Sequence, residues 1–271
     1  MSTLEDTLAG NRREYAQQGV TCLRGLFDPA AIAALAAASR DVIERPLEHG
    51  NAGYMQGPMT AVNFVYRRPG PFRDFVFGSP AGEIIARVIG SRTIRMYHDY
   101  VFSKQPGCEK VVPWHTDGGG YALAGEMMPN LWVALTPTHE RNGRLEFIGG
   151  FHREFVARRW SERRKAEGSI EQHLPDFEDP SDLSVREFPR LTWNLEPGDA
   201  VLFHPYAPHH SKANPSGSTR TGYALRVVGD DVRWDLSKST WLQIPGFEYG
   251  SVRSGDPVEQ DDSFPVMWRA A

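Results

Sequence analysis

The stretch Trp114-His115-Thr116-Asp117 sets an imidazole and a carboxylate two residues apart. On an extended strand, residues i and i+2 project from one face, so His115 and Asp117 are expected to point into one space. That is two thirds of a facial metal site of the 2-His-1-carboxylate type, which leaves positions on the ion open for a cosubstrate and oxygen. The pattern alone is weak, because Asp117 followed by Gly118-Gly119-Gly120 also fits a plain surface turn. A second constellation far downstream strengthens it. Pro208-His209-His210-Ser211-Lys212-Ala213-Asn214 and the following run to Arg220 gather imidazoles, hydroxyls, an amide and a guanidinium after a strand-like segment that ends at His204. A histidine from this stretch completes the site if the fold brings it to His115 and Asp117.

The elements that must do this read as follows. Residues 4–18 are charged and helix-compatible, and 19–26 read as a short strand. Asp28-Pro29 is a good helix start, and Ala30 to Ile43 carries Ile32, Leu35 and Ala36 on one side. Residues 47–71 lack a sustained period and are rich in Gly, Pro, Met and Tyr, which predicts a long irregular segment acting as a lid. Pro80 to Ile89 predicts a helix ended by Gly90. Short β-rich runs then follow at 93–102, 111–117, 130–135, 144–148, 191–195, 200–204 and 223–228, with Glu196-Pro197-Gly198-Asp199 as a turn between two of them. Many short strands separated by Gly and Pro turns indicate a mainly β fold with flanking helices, closed as a double-stranded β-helix or jelly roll of the cupin kind. The expected organisation is a single domain over 1–271. It has a helical part at 1–90, a jelly-roll core at about 93–232, a charged helical insertion at about 153–185 and a tail at 233–271.

The formal net charge is -4, which gives no nucleic-acid footprint, and the basic run around Arg158 to Lys165 is cancelled by the acids of 171–182. The apolar run Ala30 to Ala38 is too short to span a bilayer, and the N-terminus does not read as a signal peptide. Two cysteines, Cys22 and Cys108, make no disulfide framework. The expectation is a cytoplasmic protein, a monomer or homodimer, whose partner is a small-molecule substrate, with no nucleic acid and no membrane.

Taken together, the motifs resemble those of the phytanoyl-CoA dioxygenase family of non-haem Fe(II)- and 2-oxoglutarate-dependent oxygenases. That family pairs His-x-Asp with a downstream histidine followed by Ser at +2, Asn at +5 and Arg at +11. His209 satisfies this with Ser211, Asn214 and Arg220, whereas counting from His210 gives Lys212, Pro215 and Thr221. The resemblance implies His115, Asp117 and His209 as ligands of Fe(II), with 2-oxoglutarate as cosubstrate, O2 as oxidant, and succinate and CO2 as products. It implies Arg220 and Ser211 as the holders of the far carboxylate of 2-oxoglutarate, with Lys104 and Trp132 beside it. An arginine fork suits a carboxylate because it makes two parallel charge-assisted bonds. The segment Asn142 to His152 is similar to one ending in Pro-Gly-Ser-His, with Gly149 and Phe151 in place of Pro and Ser. Because Asp117 is present, halogenation, which in related enzymes needs a small residue there, is not expected.

Candidate substrate contacts are Asn63, Phe64, Tyr97, Asp99, Trp114, Tyr121 and Arg226, while His98 and His152 read as structural histidines and His210 as a neighbour of the site. The implied reaction is hydroxylation of a C–H bond in a small metabolite or natural-product intermediate; Arg67, Arg68 and Arg73 are too scattered to form a basic patch for an acyl-CoA. The rivals are desaturation or ring closure by the same chemistry, a cupin-type metal hydrolase, and a binding protein on the same scaffold.

Overall fold

The computed structural model describes residues 4–49, 51–52, 57–153, 188–238, 242, 244–258 and 263–271. The expected insertion at 153–185 falls, apart from residue 153, outside them, as do Tyr54 and Met55 of the expected lid. Among the described residues, five α-helices open the chain: α1 Leu4–Gln18, α2 Pro29–Glu44, the short α3 Pro46–His49, α4 Pro71–Gly78 and α5 Ala81–Ile89. Asp28 caps α2, its Oδ1 accepting from Ala30 N at 3.0 Å with Pro29 in the first turn, and Gly90 ends α5 in the left-handed conformation.

Interleaved with and following the helices, the described residues form fourteen strands. β1 (Val20–Leu23), β2 (Asn51–Ala52), β3 (Met59–Asn63) and β4 (Thr93–Lys104) lead to β5 (Val112–His115), β6 (Leu123–Ala124), β7 (Asn130–Ala134), β8 (Leu145–Ile148) and β9 (Arg190–Thr192). They continue with β10 (Ala200–Phe203), β11 (His209–Ser211), β12 (Arg220–Val228), β13 (Arg233–Trp234) and β14 (Val266–Arg269). The main sheet runs β1-β10-β7-β12-β4-β3-β2 with β14 also on β4, and a second sheet runs β5-β11-β8-β9. This is the jelly roll the strand pattern suggested, with more in the main sheet than 93–232: β1, β2, β3 and β14 belong to it as well.

The main sheet is covered on both faces. Its outer face packs on the helices, joining Leu35, Phe75 and Ile84 to Val101, Leu131, Tyr223 and Leu225. The inner face meets the second sheet, joining Trp132, Val201, Phe203 and Ala224 to Phe147 and Leu195. Every residue of β12 is therefore buried, and so is every residue of β3. Strands buried on both faces show no alternation of polarity, which is why 59–63 read as lid while folding as sheet. The described part of the expected lid also holds α3 and a 3-10 turn at Val65–Arg67.

The face a residue takes is set by the two-residue period of β4 and β12. On β12, Arg220, Gly222, Ala224 and Arg226 lie on the inner side and Tyr223 and Leu225 on the helix side. On β4, His98, Tyr100, Phe102 and Lys104 share a parity and Tyr97, Asp99 and Val101 take the other. The register pairs Arg220 with Lys104, Gly222 with Phe102 and Arg226 with His98.

Candidate active site

His209 on β11 stands across from His115 on β5 in the ladder, and their rings lie 4.2 Å apart. His115 Nδ1 bonds to Pro113 O at 2.9 Å and His209 Nδ1 to Ala207 O at 3.0 Å. A carbonyl only accepts, so each Nδ1 carries the proton and each Nε2 presents a lone pair. Asp117 closes the group. Its Oδ1 is 3.8 Å from His115 Nε2 and its Oδ2 is 3.8 Å from His209 Nε2, and one ligand atom from each residue lies within 4.8 Å of the others.

The route to this convergence differs from the expected one. β5 ends at His115, and Asp117 has helical dihedrals (φ -76°, ψ -34°) before a 3-10 turn at Gly118–Gly120. Asp117 thus turns back toward His115 from beyond the strand. The turn is tight: a Cβ at Gly118 would sit 2.6 Å from the Tyr206 ring.

Two donors hold the carboxylate. Arg226 Nη2 donates to Oδ1 at 2.8 Å and Asn130 Nδ2 to Oδ2 at 2.6 Å. Burial by itself would raise this carboxyl, but the Arg226 charge, followed by His209 and His115, outweighs it and holds Asp117 down at about 2. Burial brings His209 down to about 3, keeping its imidazole neutral as a ligand must be. A buried anion beside two neutral Nε2 atoms is a donor set suited to a divalent cation.

The cavity in front of this triad is partly open to solvent and is lined by Trp132, Ser211, Arg220, Asn63 and Arg226 as well as by the triad. Arg220 is 1% exposed, with its guanidinium 4.4 Å from the centre of the Trp132 ring and 5.5 Å from that of Phe102. Its Nε and Nη2 are buried without a hydrogen-bond partner, and it forms no ion pair among the described residues. Burial lowers this guanidinium to about 10, which leaves it charged near neutrality. A buried unpaired cation on the wall of a cavity that holds a triad of metal-ligand type is the observation that fits an anionic cosubstrate.

The indole that flanks Arg220 depends on a residue the sequence reading passed over. A Cβ at Gly222 would lie 1.9 Å from Trp132 Cζ2, so only glycine lets the ring cross β12 there. Asn130, Tyr100 and Phe102 were missed too. Tyr100 and Phe102 share the parity of Lys104 on β4, a signal the sequence did carry.

Lys104 is fully buried yet stands behind the cavity wall. Its ammonium donates to Ser211 O at 3.1 Å, Ser211 Oγ at 2.9 Å and Lys212 O at 2.5 Å, tying β4 to β11. Burial, then the neighbouring Arg220 charge, brings it down to about 7.

Five of the expected substrate contacts do not line the cavity. Tyr97 and Asp99 lie on the other face of β4; Tyr97 stacks on Phe264, and Asp99 Oδ2 accepts from Tyr66 N at 2.9 Å and Tyr223 OH at 2.7 Å. Burial pushes Asp99 up to about 7. Trp114 faces away from its neighbour His115 and stacks on His210 at 4.0 Å, while His210 bonds Glu146 at 3.2 Å. Tyr121 stands behind Arg226 at 5.5 Å, and Phe64, at a left-handed φ of 60°, packs on His98. Asn63 and Arg226 do line the cavity. His98 is buried between them, and His152 packs beside His204.

The comparisons with known proteins agree with the fold. The structure aligns over 98% of its length with 99% of the non-haem α-ketoglutarate-dependent carbocyclase SnoK from nogalamycin biosynthesis, at a TM-score of 0.75 and 22% identity. It aligns over 97% of its length with 99% of the epimerase SnoN in complex with Fe3+, α-ketoglutarate and nogalamycin RO, at a TM-score of 0.77 and 18% identity. At these identities the likeness is one of fold. In sequence, a phytanoyl-CoA dioxygenase of Arabidopsis thaliana is 28% identical over 174 residues, 64% of this chain and 57% of that protein. A 2-aminoethylphosphonate dioxygenase of an uncultured bacterium is 25% identical over 215 residues, 73% of this chain and 74% of that one. The chain spans 57% of the two plant relatives and 47% of a zebrafish one.

The model of the phytanoyl-CoA dioxygenase family, one of the families of non-haem iron oxygenases that depend on 2-oxoglutarate, matches residues 15–222. The chain belongs to that family. Among the described residues no helix is long and apolar enough to cross a membrane.

Proposed function

We propose that this chain is an Fe(II)- and 2-oxoglutarate-dependent oxygenase that hydroxylates a C–H bond of a small metabolite or natural-product intermediate. The observation that carries the reading is Arg220, a buried guanidinium with unpaired Nε and Nη2, on the wall of the cavity that contains His115, Asp117 and His209. A hydrolase or binding protein on this scaffold would leave that charge buried with nothing to pair it.

His115 Nε2, His209 Nε2 and a carboxylate oxygen of Asp117 would hold Fe(II), and Arg220 with Ser211 would take the far carboxylate of 2-oxoglutarate. Fe(II) with 2-oxoglutarate and O2 supplies an oxidant able to remove hydrogen from an unactivated C–H bond, with succinate and CO2 as co-products. The chain's own work is orientation. The Pro113 and Ala207 carbonyls fix both imidazole tautomers, Arg226 and Asn130 hold the carboxylate, and Trp132 with Phe102 keeps water from Arg220. Ring closure and desaturation begin with the same hydrogen removal, and product analysis separates them from hydroxylation.

The test is anaerobic. Fe(II) and 2-oxoglutarate added to the wild type are expected to produce a visible charge-transfer absorption, which disappears in His209→Ala and requires at least about tenfold more 2-oxoglutarate in Arg220→Ala. A folded, iron-loaded wild type without that absorption refutes the reading.

A further inference from the structure

Beyond the metal ligands and Arg220, a short chain of side chains runs along the cavity, and its polarity follows from donor and acceptor chemistry. Arg226 donates through Nη2 to Asp117, and its Nη1 lies 3.2 Å from His98 Nδ1. On the other side of the ring, His98 Nε2 lies 3.1 Å from Asn63 Oδ1. A guanidinium has only donors, so His98 Nδ1 must accept and carries no proton. The proton of the neutral imidazole is then on Nε2, and it donates to Asn63. Burial, with the Arg226 charge second, keeps this ring neutral. Asn63 is therefore obliged to turn its carbonyl oxygen toward His98 and its amide nitrogen the other way.

That nitrogen is the unspent group. Asn63 is 6% exposed and lines the cavity, and among the described residues its Nδ2 has no hydrogen-bond partner. The charge nearby is already balanced, since Arg226 pairs with Asp117 at 2.8 Å. The cavity it shares has apolar residues, Ala61, Phe102, Val112 and Leu145, as well as the polar Tyr100 and Thr116. Asn63 offers this cavity a neutral donor, beside a guanidinium whose charge Asp117 already balances.

We propose that the Asn63 amide is a recognition point for the substrate, and that the substrate presents an uncharged carbonyl oxygen to it. The inference rests on the oxygenase reading only in taking the bound molecule to be the substrate. An amine-bearing molecule would leave the Asn63 donor unpaired and pay for desolvating its own charge, so the site selects against it.

Two measurements on the full-length, metal-free protein test this. Long-range 1H–15N correlation spectra of the histidine rings are expected to show His98 with its proton on Nε2; a proton on Nδ1 overturns the proposal. The second measurement titrates acetophenone, its carbonyl-free isostere α-methylstyrene, and benzylamine, following the Asn63 side-chain amide resonance. Acetophenone is expected to bind about five- to tenfold more tightly than α-methylstyrene, as one hydrogen bond allows, and to shift that resonance. In Asn63→Leu the ratio falls to about one, and in Asn63→Asp, which replaces the donor by an acceptor, the preference passes to benzylamine. Equal binding of the three in the wild type, including none at all, or a preference that survives Asn63→Leu in a variant with wild-type near-UV circular dichroism, overturns it. Neither measurement needs turnover. The Fe(II) and 2-oxoglutarate absorption in the same preparation reports independently on the oxygenase reading.

Discussion

Replacing Gly222 with alanine adds one methyl group at the tightest place in the candidate site. Its Cβ would stand 1.9 Å from Trp132 Cζ2, 2.1 Å from Cε2 and 2.6 Å from Nε1. To reach a carbon–carbon contact of about 3.5 Å the indole must withdraw by roughly 1.5 Å. Trp132 is 3% exposed and packed between the sheets, so this withdrawal must displace packed neighbours or intrude on the cavity the ring lines. Overpacking of this kind costs about 2 kcal/mol, or about 4 °C in melting temperature for a chain of this size. Arg220 would also lose the ring face 4.4 Å from its guanidinium, so 2-oxoglutarate affinity should fall severalfold. A double-mutant cycle isolates the cause, because the nearest colliding atom, Cζ2, belongs to the second ring of the indole, which a phenylalanine lacks. Gly222→Ala and Trp132→Phe together should cost at least about 1 kcal/mol less than the sum of the single changes by chemical denaturation. Additive costs, or an unchanged melting temperature in Gly222→Ala, refute the argument.

Three further outcomes follow from the same geometry. Asp99 titrates near 7 in the fold and at about 4 when unfolded, so its contribution is full below about pH 4 and is lost as pH rises through 7, amounting to about 4 kcal/mol. Asp99→Asn should therefore gain on the wild type between pH 4 and 8 in urea unfolding, and parallel pH profiles would count against a buried, proton-binding Asp99. Saturating Mn(II) at about a hundred times its dissociation constant should stabilise the wild type by about 2.7 kcal/mol and leave Asp117→Ala unchanged in a thermal melt. Arg226→Met removes the charge that holds Asp117 at about 2, so its Mn(II) affinity should fall more steeply below pH 6 than that of the wild type; superimposable profiles from isothermal titration would refute this role.

How far the sequence exposed these features depended on whether each was encoded locally. Asp28-Pro29 and Gly90 mark helix ends through their own side chains and dihedrals, and α2 and α5 lie within a residue of where those signals put them. His115 and Asp117 stand out by type and spacing, though Asp117 reaches its place by a turn that follows the strand. The parity of β4 was marked only by Lys104, because aromatic and apolar residues occupy both of its faces and nothing else local says which face meets the second sheet. Tyr97 and Asp99 were assigned to the cavity for that reason. β3 was hidden similarly: Met59 to Asn63 is buried throughout, and a strand without alternation has no period to detect. Gly222 stood just before the strand expected at 223–228 and proved to lie inside it, where a glycine marks a close approach, but the approaching ring is supplied by β7 and cannot be known until the strands are paired.

The pairing of β4 also bears on how the molecule reaches this state. β4 meets β3 nearby in sequence, but it meets β12 and β14 only after much of the chain has been crossed, and β5 likewise waits for β11. Contacts of such long range close large loops before any energy is returned, so folding should be slow, in the millisecond-to-second range or beyond. His115 and His209 sit on one of these late pairings. Until β5 and β11 join there is no triad for an ion to find, and metal uptake would serve as a kinetic marker for the final steps of folding.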